Sequence, residues 1–182
     1  MKHTTIRRVV TGHDRDGKSR VVADGEVEAI TTELLPGFAA YRLWGRDEHP
    51  TFPDDGSPCG AEAWYPPRDG SRFMVNTIPP GVPAVPSDLD MASALEALER
   101  QMPGAMAVQE PDGAGMHTTD SIDYVLVVSG EVTLELDDGE QRVLRAGDVV
   151  IQNGTRHAWH NHGTEPCMIV GVAIGANRVL SA

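Results

Sequence analysis

Three of the chain's seven histidines fall within six positions, His157, His160 and His162 in "RHAWHNH". Imidazoles this close can bind a divalent metal or move protons near neutral pH. Whether they act together depends on the backbone. Gly154 before the segment and Gly163 after it leave no room for a helix, so a strand is expected. On a strand, side chains alternate faces. His157, Trp159 and Asn161 then share one face, and His160 and His162 share the other. His157 follows a turn and has apolar neighbours, so it is the functional candidate. His160 and His162 are expected to face solvent. Partners for His157 must come from elsewhere, and "GMHTTDSIDY" upstream offers His117 and Asp123. Asp123 opens the apolar run "IDYVLVV" and shares a face with Val125 and Val127. A buried carboxylate is costly unless a metal, a histidine or a hydrogen bond meets it.

The elements that must position these groups are short strands. Residues 116–175 contain "IDYVLVVSG", "EVTLELDDG", "EQRVLRAGD", "VVIQNG", "RHAWHNHG" and "PCMIVGVAI", six strand-like runs separated by turns. "DDG" reads as a hairpin turn, because Gly139 accepts positive φ at little cost. Such spacing suggests an antiparallel sandwich or barrel. Residues 1–45 carry two or three more strands. "RFMVNTIP" is another, and the Pro-, Gly- and Asp-rich stretch before it is a long loop. Trp64 and Tyr65 in that loop can supply aromatic surface over a barrel mouth. Met91, Leu95, Leu98 and Met102 mark one face of a helix, capped by Ser87 or Asp88 and ended by Pro103-Gly104.

Composition narrows the function classes. The chain has 182 residues and a net charge of -12. That charge repels phosphate backbones, so nucleic acid is not an expected partner. No apolar run is long enough to span a bilayer. Cys59 and Cys167 form neither a zinc framework nor a disulfide scaffold. Cys167 reads as a small core residue, and a reduced cytoplasmic setting is expected.

The stretch from Met116 to Asn161 resembles the two sequence motifs of the cupin superfamily. Gly147, Asp148, Gly154, His157 and Asn161 match the second motif, with Gln152 at its turn-proline position. The first motif is degraded. His117 matches its first histidine, Thr119 stands in place of the second, Asp123 takes the glutamate position, and Gly130 follows after six residues. The resemblance implies an all-β fold, a double-stranded β-helix of jelly-roll type with an N-terminal strand extension and one short helix. Residues 1–115 would pack on a barrel core of residues 116–182 as one structural domain. It further implies a divalent metal (Fe, Zn, Mn or Ni) held by His117, Asp123 and His157. Asp123 and His157 would be catalytic, Thr119 and Trp159 would line the substrate pocket, and the protein would form a homodimer. The expected function is a metal-dependent decarboxylase, dehydratase, isomerase or dioxygenase acting on a small organic acid or a secondary-metabolite intermediate. The alternative is a metal-free ligand-binding barrel. Without a metal, burial would raise the pKa of Asp123 towards the working range of a general base.

Overall fold

The structure is a computed structural model that describes residues 5–58, 60–111 and 114–179. Three strands come first, β1 (Ile6–His13), β2 (Ser19–Val27) and β3 (Ala39–Arg46). After the long loop come β4 (Ser71–Ile78) and the helix α1 (Met91–Gln101). The remaining strands are β5 (Ser121–Ser129), β6 (Glu131–Glu135), β7 (Gln141–Arg145), β8 (Val149–Asn153), β9 (Ala158–His160) and β10 (Cys167–Gly175).

The strands pair into a five-stranded sheet of order β3-β4-β10-β5-β8 and a three-stranded sheet of order β7-β6-β9. All pairings are antiparallel. Val125 and Val127 of β5, Ile169 of β10 and Val132 of β6 pack together, so the two sheets close over a shared interior. This is the expected double-stranded β-helix. The N-terminal region does more than pack on it: β3 and β4 continue the sheet that holds β5. The hairpin β1–β2 is a separate ribbon. Its Ile6 and Val27 lie on the outer face of β3 and β4, over Tyr41, Leu43 and Val75.

Alternation explains which groups reach the interior. In β5, Val125 and Val127 are buried, whereas Tyr124, Leu126 and Val128 stay exposed on the outside. Asp123 keeps step with the inward set. The turn into β6 needs Gly130, whose φ is 77°. A Cβ there would lie 2.7 Å from the Pro166 carbonyl oxygen, closer than contact allows.

The helix differs in detail from its expected form. Its cap is Asp90, not Ser87 or Asp88, because Asp90 directly precedes Met91 and its carboxylate reaches the amides of Ala92 and Ser93. Only the end of the helix packs: Leu98 and Met102 are buried, while Met91 and Leu95 are exposed. Trp64 fills the space above this last turn and is buried in the core, so it is not the surface aromatic expected from its loop. Cys167 is fully buried as expected, which pushes its thiol up to about 11. Cys59 lies outside the described residues. Among those residues, no helix is long and apolar enough to cross a membrane.

Candidate active site

His157 directly precedes β9, and its backbone bridges that of His117. Each amide donates to the other's carbonyl at 2.9 Å. Directly opposed residues of an antiparallel bridge point the same way. The two imidazoles therefore meet, with ring centroids 4.2 Å apart. Sequence distance is overcome by one pair of backbone hydrogen bonds.

The tautomers follow from the partners. His117 Nδ1 lies 2.9 Å from the Gly115 carbonyl, and His157 Nδ1 lies 2.9 Å from the Thr155 carbonyl. A carbonyl only accepts, so each Nδ1 carries the proton and each Nε2 keeps its lone pair. Among the described residues, neither Nε2 has a hydrogen-bond partner. Burial pushes the His157 pKa down to about 4, and the neighbouring His117 adds to the shift. His157 is therefore a neutral base or ligand at neutral pH.

Asp123 enters from β5. Burial raises its pKa, and a hydrogen bond from Ser121 and the nearby His117 pull it partly back. Ser121 Oγ lies 2.6 Å from the Asp123 carboxylate and 3.0 Å from the Thr119 hydroxyl. A serine has one O–H. It donates that proton to the carboxylate, so the Thr119 hydroxyl donates to Ser121. Thr119 is buried, and its side chain orients Asp123 through Ser121. Tyr65 approaches from the long loop, its ring centroid 6.5 Å from that of His117. Burial, aided by the Asp123 charge, pushes its phenol up to about 12. Trp159 presents its face edge-on to His157 at 5.9 Å.

The turn that aims His157 is held by Gln152. Its amide donates to the carbonyl and the hydroxyl of Thr155, and that carbonyl also takes the His157 proton. Asn161 is structural. It is buried, donates to the carbonyls of Ile78 and Glu165, and accepts from the Gly163 amide.

His117, His157, Asp123, Thr119 and Trp159 thus gather in one interior region. His160 and His162 lie on the opposite face, with rings 5.8 Å apart. His162 is exposed as expected, but His160 is only partly so. Its Nε2 is buried 2.9 Å from the Glu135 carboxylate, without the alignment of a hydrogen bond, because β6 runs alongside β9 and brings Glu135 over it. Tyr65 was expected only as aromatic surface from the loop, and Ser121 escaped sequence reasoning. Ser121 had a signal, since it shares the inward phase of β5 with Asp123.

The donor chemistry suits a divalent ion in part. Two imidazoles whose Nε2 atoms have no partner among the described residues, each braced by a carbonyl at Nδ1, are a good nitrogen pair. The carboxylate is turned to Ser121, and among the described residues no three His, Cys, Asp or Glu side chains are grouped to hold a metal. A cavity of about 660 Å³ lies elsewhere, between β1 and the outer face of the large sheet, lined by Val9, Leu43, Trp44, Phe52 and Phe73. It touches none of these groups.

Known proteins resemble this chain in the same region. A family model described as a cupin domain matches residues 104–173. Phomopsin biosynthesis cluster protein C' of Diaporthe leptostromiformis is 32% identical over 158 residues, 86% of this chain and 71% of that protein. Cupin-domain-containing oxidoreductase virC of Hypocrea virens is 40% identical over 68 residues, 36% of this chain and 35% of that protein. The solved polyketide cyclase RemF from Streptomyces resistomycificus aligns with a TM-score of 0.44 at 15% identity, covering 85% of this chain and 82% of its own.

Proposed function

The chain belongs to the cupin superfamily, and on that premise we propose that it is an enzyme acting on a small organic acid or a secondary-metabolite intermediate. His117, Asp123 and His157 are its reacting groups. The observation that carries this reading is the contact between the buried His157 imidazole and the half-buried His117 imidazole, whose Nε2 atoms have no hydrogen-bond partner among the described residues. A structural histidine would use both nitrogens; these two hold a proton-accepting edge in reserve. The names of the relatives support the substrate class, one being a biosynthesis-cluster protein and another an oxidoreductase.

The chain's own groups divide the work. A substrate bound beside Trp159 would meet the His157 Nε2 as proton acceptor. Asp123, its pKa raised by burial, can serve as a proton acceptor or donor, and Ser121 fixes which oxygen it presents. Tyr65 stays protonated and can donate a hydrogen bond to a developing oxyanion. Such groups fit a decarboxylation, a dehydration or an isomerisation. His117, His157 and Asp123 are the residues that would hold a divalent ion (Fe, Zn, Mn or Ni). When bound, it would supply Lewis-acid stabilisation of an enolate or, as iron, dioxygen chemistry. Asp123 would have to exchange Ser121 for that ion.

A metal-free barrel that binds a ligand is the second reading. It is favoured by Thr119 at the second histidine position, with its hydroxyl committed to Ser121. A homodimer in the cytoplasm belongs to the same proposal, supported by the exposed apolar outer face of Tyr124, Leu126, Val149 and Ile151.

Metal content of untagged protein tests the choice. The parent is expected to retain about one equivalent after reconstitution with Fe(II), Mn, Zn and Ni in turn, and His157→Ala none. Less than about a tenth of an equivalent in the parent removes the metal reading.

A further inference from the structure

Arg42 on β3 carries a donor pair that has no hydrogen-bond partner among the described residues. Its Nη1 donates to the carbonyls of Ala61 and Glu62, and its guanidinium stacks over Trp64 with 5.0 Å to the ring centroid. Its Nε and Nη2 are buried, and among the described residues neither has a hydrogen-bond partner. Burying a cation's donors unpaired is costly, so the site is poised for something.

The two idle atoms are not an arbitrary pair. Nε and Nη2 form the side fork of a guanidinium, whose parallel N–H bonds match the two oxygens of a carboxylate. This molecule uses the same fork twice. Arg156 grips Glu110 through Nε and Nη2 at 2.7 Å each. Arg7 grips Asp24 through the same atoms at 2.7 and 2.6 Å. At Arg42 the fork is intact, buried and without its carboxylate.

Charge points the same way. Arg72, fully buried, is close enough to oppose the Arg42 charge, and Asp47 is the acid that favours it. Asp47 is already bound to Arg72 at 2.6 Å. Two guanidinium groups and one carboxylate leave one positive charge without its counterpart.

Arg42 also faces the catalytic interior. It is in phase with Ala40, which packs in the interior cluster with Met74 and Trp64. Arg42 opposes Met74, Met74 opposes Gly171, and Gly171 opposes Val125. That row lies on the face that presents Asp123 two residues along β5. Trp64 and Tyr65 link the ends: the first covers Arg42 and the second adjoins His117.

We propose that Arg42 is the anchor for a carboxylate group of the ligand, held side-on by Nε and Nη2 on the sheet face that also presents Asp123. The identification of that anion as substrate rests on the enzyme reading above; the empty fork does not.

The test uses the full chain and simple probes: acetate, pyruvate, succinate and benzoate, with benzamide and inorganic phosphate as comparisons. Binding is read by calorimetry on the parent and on Arg42→Lys, which keeps the charge and loses the fork. At least one carboxylate is expected to bind the parent, to weaken by about tenfold or more in Arg42→Lys, and to exceed benzamide. The Arg Nε–H resonance missing from the Arg42→Lys nitrogen spectrum should shift in the parent on adding that carboxylate. A second variant, Arg42→Gln, assigns the same resonance where Arg42→Lys folds poorly. Unchanged affinity in a folded Arg42→Lys, a resonance that does not move, or binding of phosphate alone would overturn the proposal. His157→Ala separates the two readings: it should lose metal or turnover and still shift the Arg42 resonance.

Discussion

The molecule holds two histidine pairs, and one short segment contributes to both. His117 and His157 meet inside the barrel at 4.2 Å; His160 and His162 meet outside at 5.8 Å. Residue type is the same in each, and the environments differ in every respect. The inner pair comes from distant segments joined by a backbone bridge, both rings are braced at Nδ1, and burial drives His157 to stay neutral. The outer pair is local, with His160 beside a carboxylate and His162 in solvent. Proximity of histidines therefore says little about chemistry. A carbonyl brace at each Nδ1 and the burial of His157 distinguish the inner pair; an unpartnered nitrogen does not, because His160 has one too.

The contrast can be broken at its frame. Gly130 makes the turn into β6, the strand that lies against β9. Gly130→Val would need positive φ in a β-branched residue and a clash with Pro166, so a loss of at least ~3 kcal/mol is expected in urea unfolding. A change within ~0.5 kcal/mol would show that the turn is not rigid.

Acid should act on the inner pair next. The unfolded chain protonates His157 near its ordinary value of 6.5, and the folded chain only near 4. Between these values the unfolded state binds more protons. Stability is therefore full above 6.5 and declines as pH falls towards 4, by about 3 kcal/mol at most. Asp123, whose folded pKa is raised, works against this, because its folded state takes up protons first over its own window. The decline should flatten in His157→Gln when unfolding is followed across that range. An unchanged slope would mean that His157 is not desolvated.

The outer pair should respond least. Glu135→Gln and His162→Ala are each expected to change stability by less than about 1 kcal/mol and to leave metal or ligand binding unaltered. Loss of binding in either would transfer function to the outside of the sheet.

Much of this arrangement was legible along the chain. The β-branched alternation of "IDYVLVV" marked Asp123 as inward, and Gly147, Gly154 and Asn161 marked the turns around His157. The cap of α1 was misplaced because several polar residues precede the helix, and only geometry decides which carboxylate reaches the first amides. Trp64 looked like a surface residue because its neighbours are loop-forming; the burial of its ring depends on Leu98 and Met102, more than thirty residues away.

By itself, the sequence determined the strand periods, the turn glycines and the faces of His157, His160 and His162, since these depend on neighbours one or two residues apart. The tertiary structure alone decided the rest: that His117 bridges His157, that Ser121 takes the carboxylate of Asp123, and that Arg42 is buried with an empty fork. Those outcomes depend on which strands pair and what lies across the interior, and desolvation there sets the charge of each group.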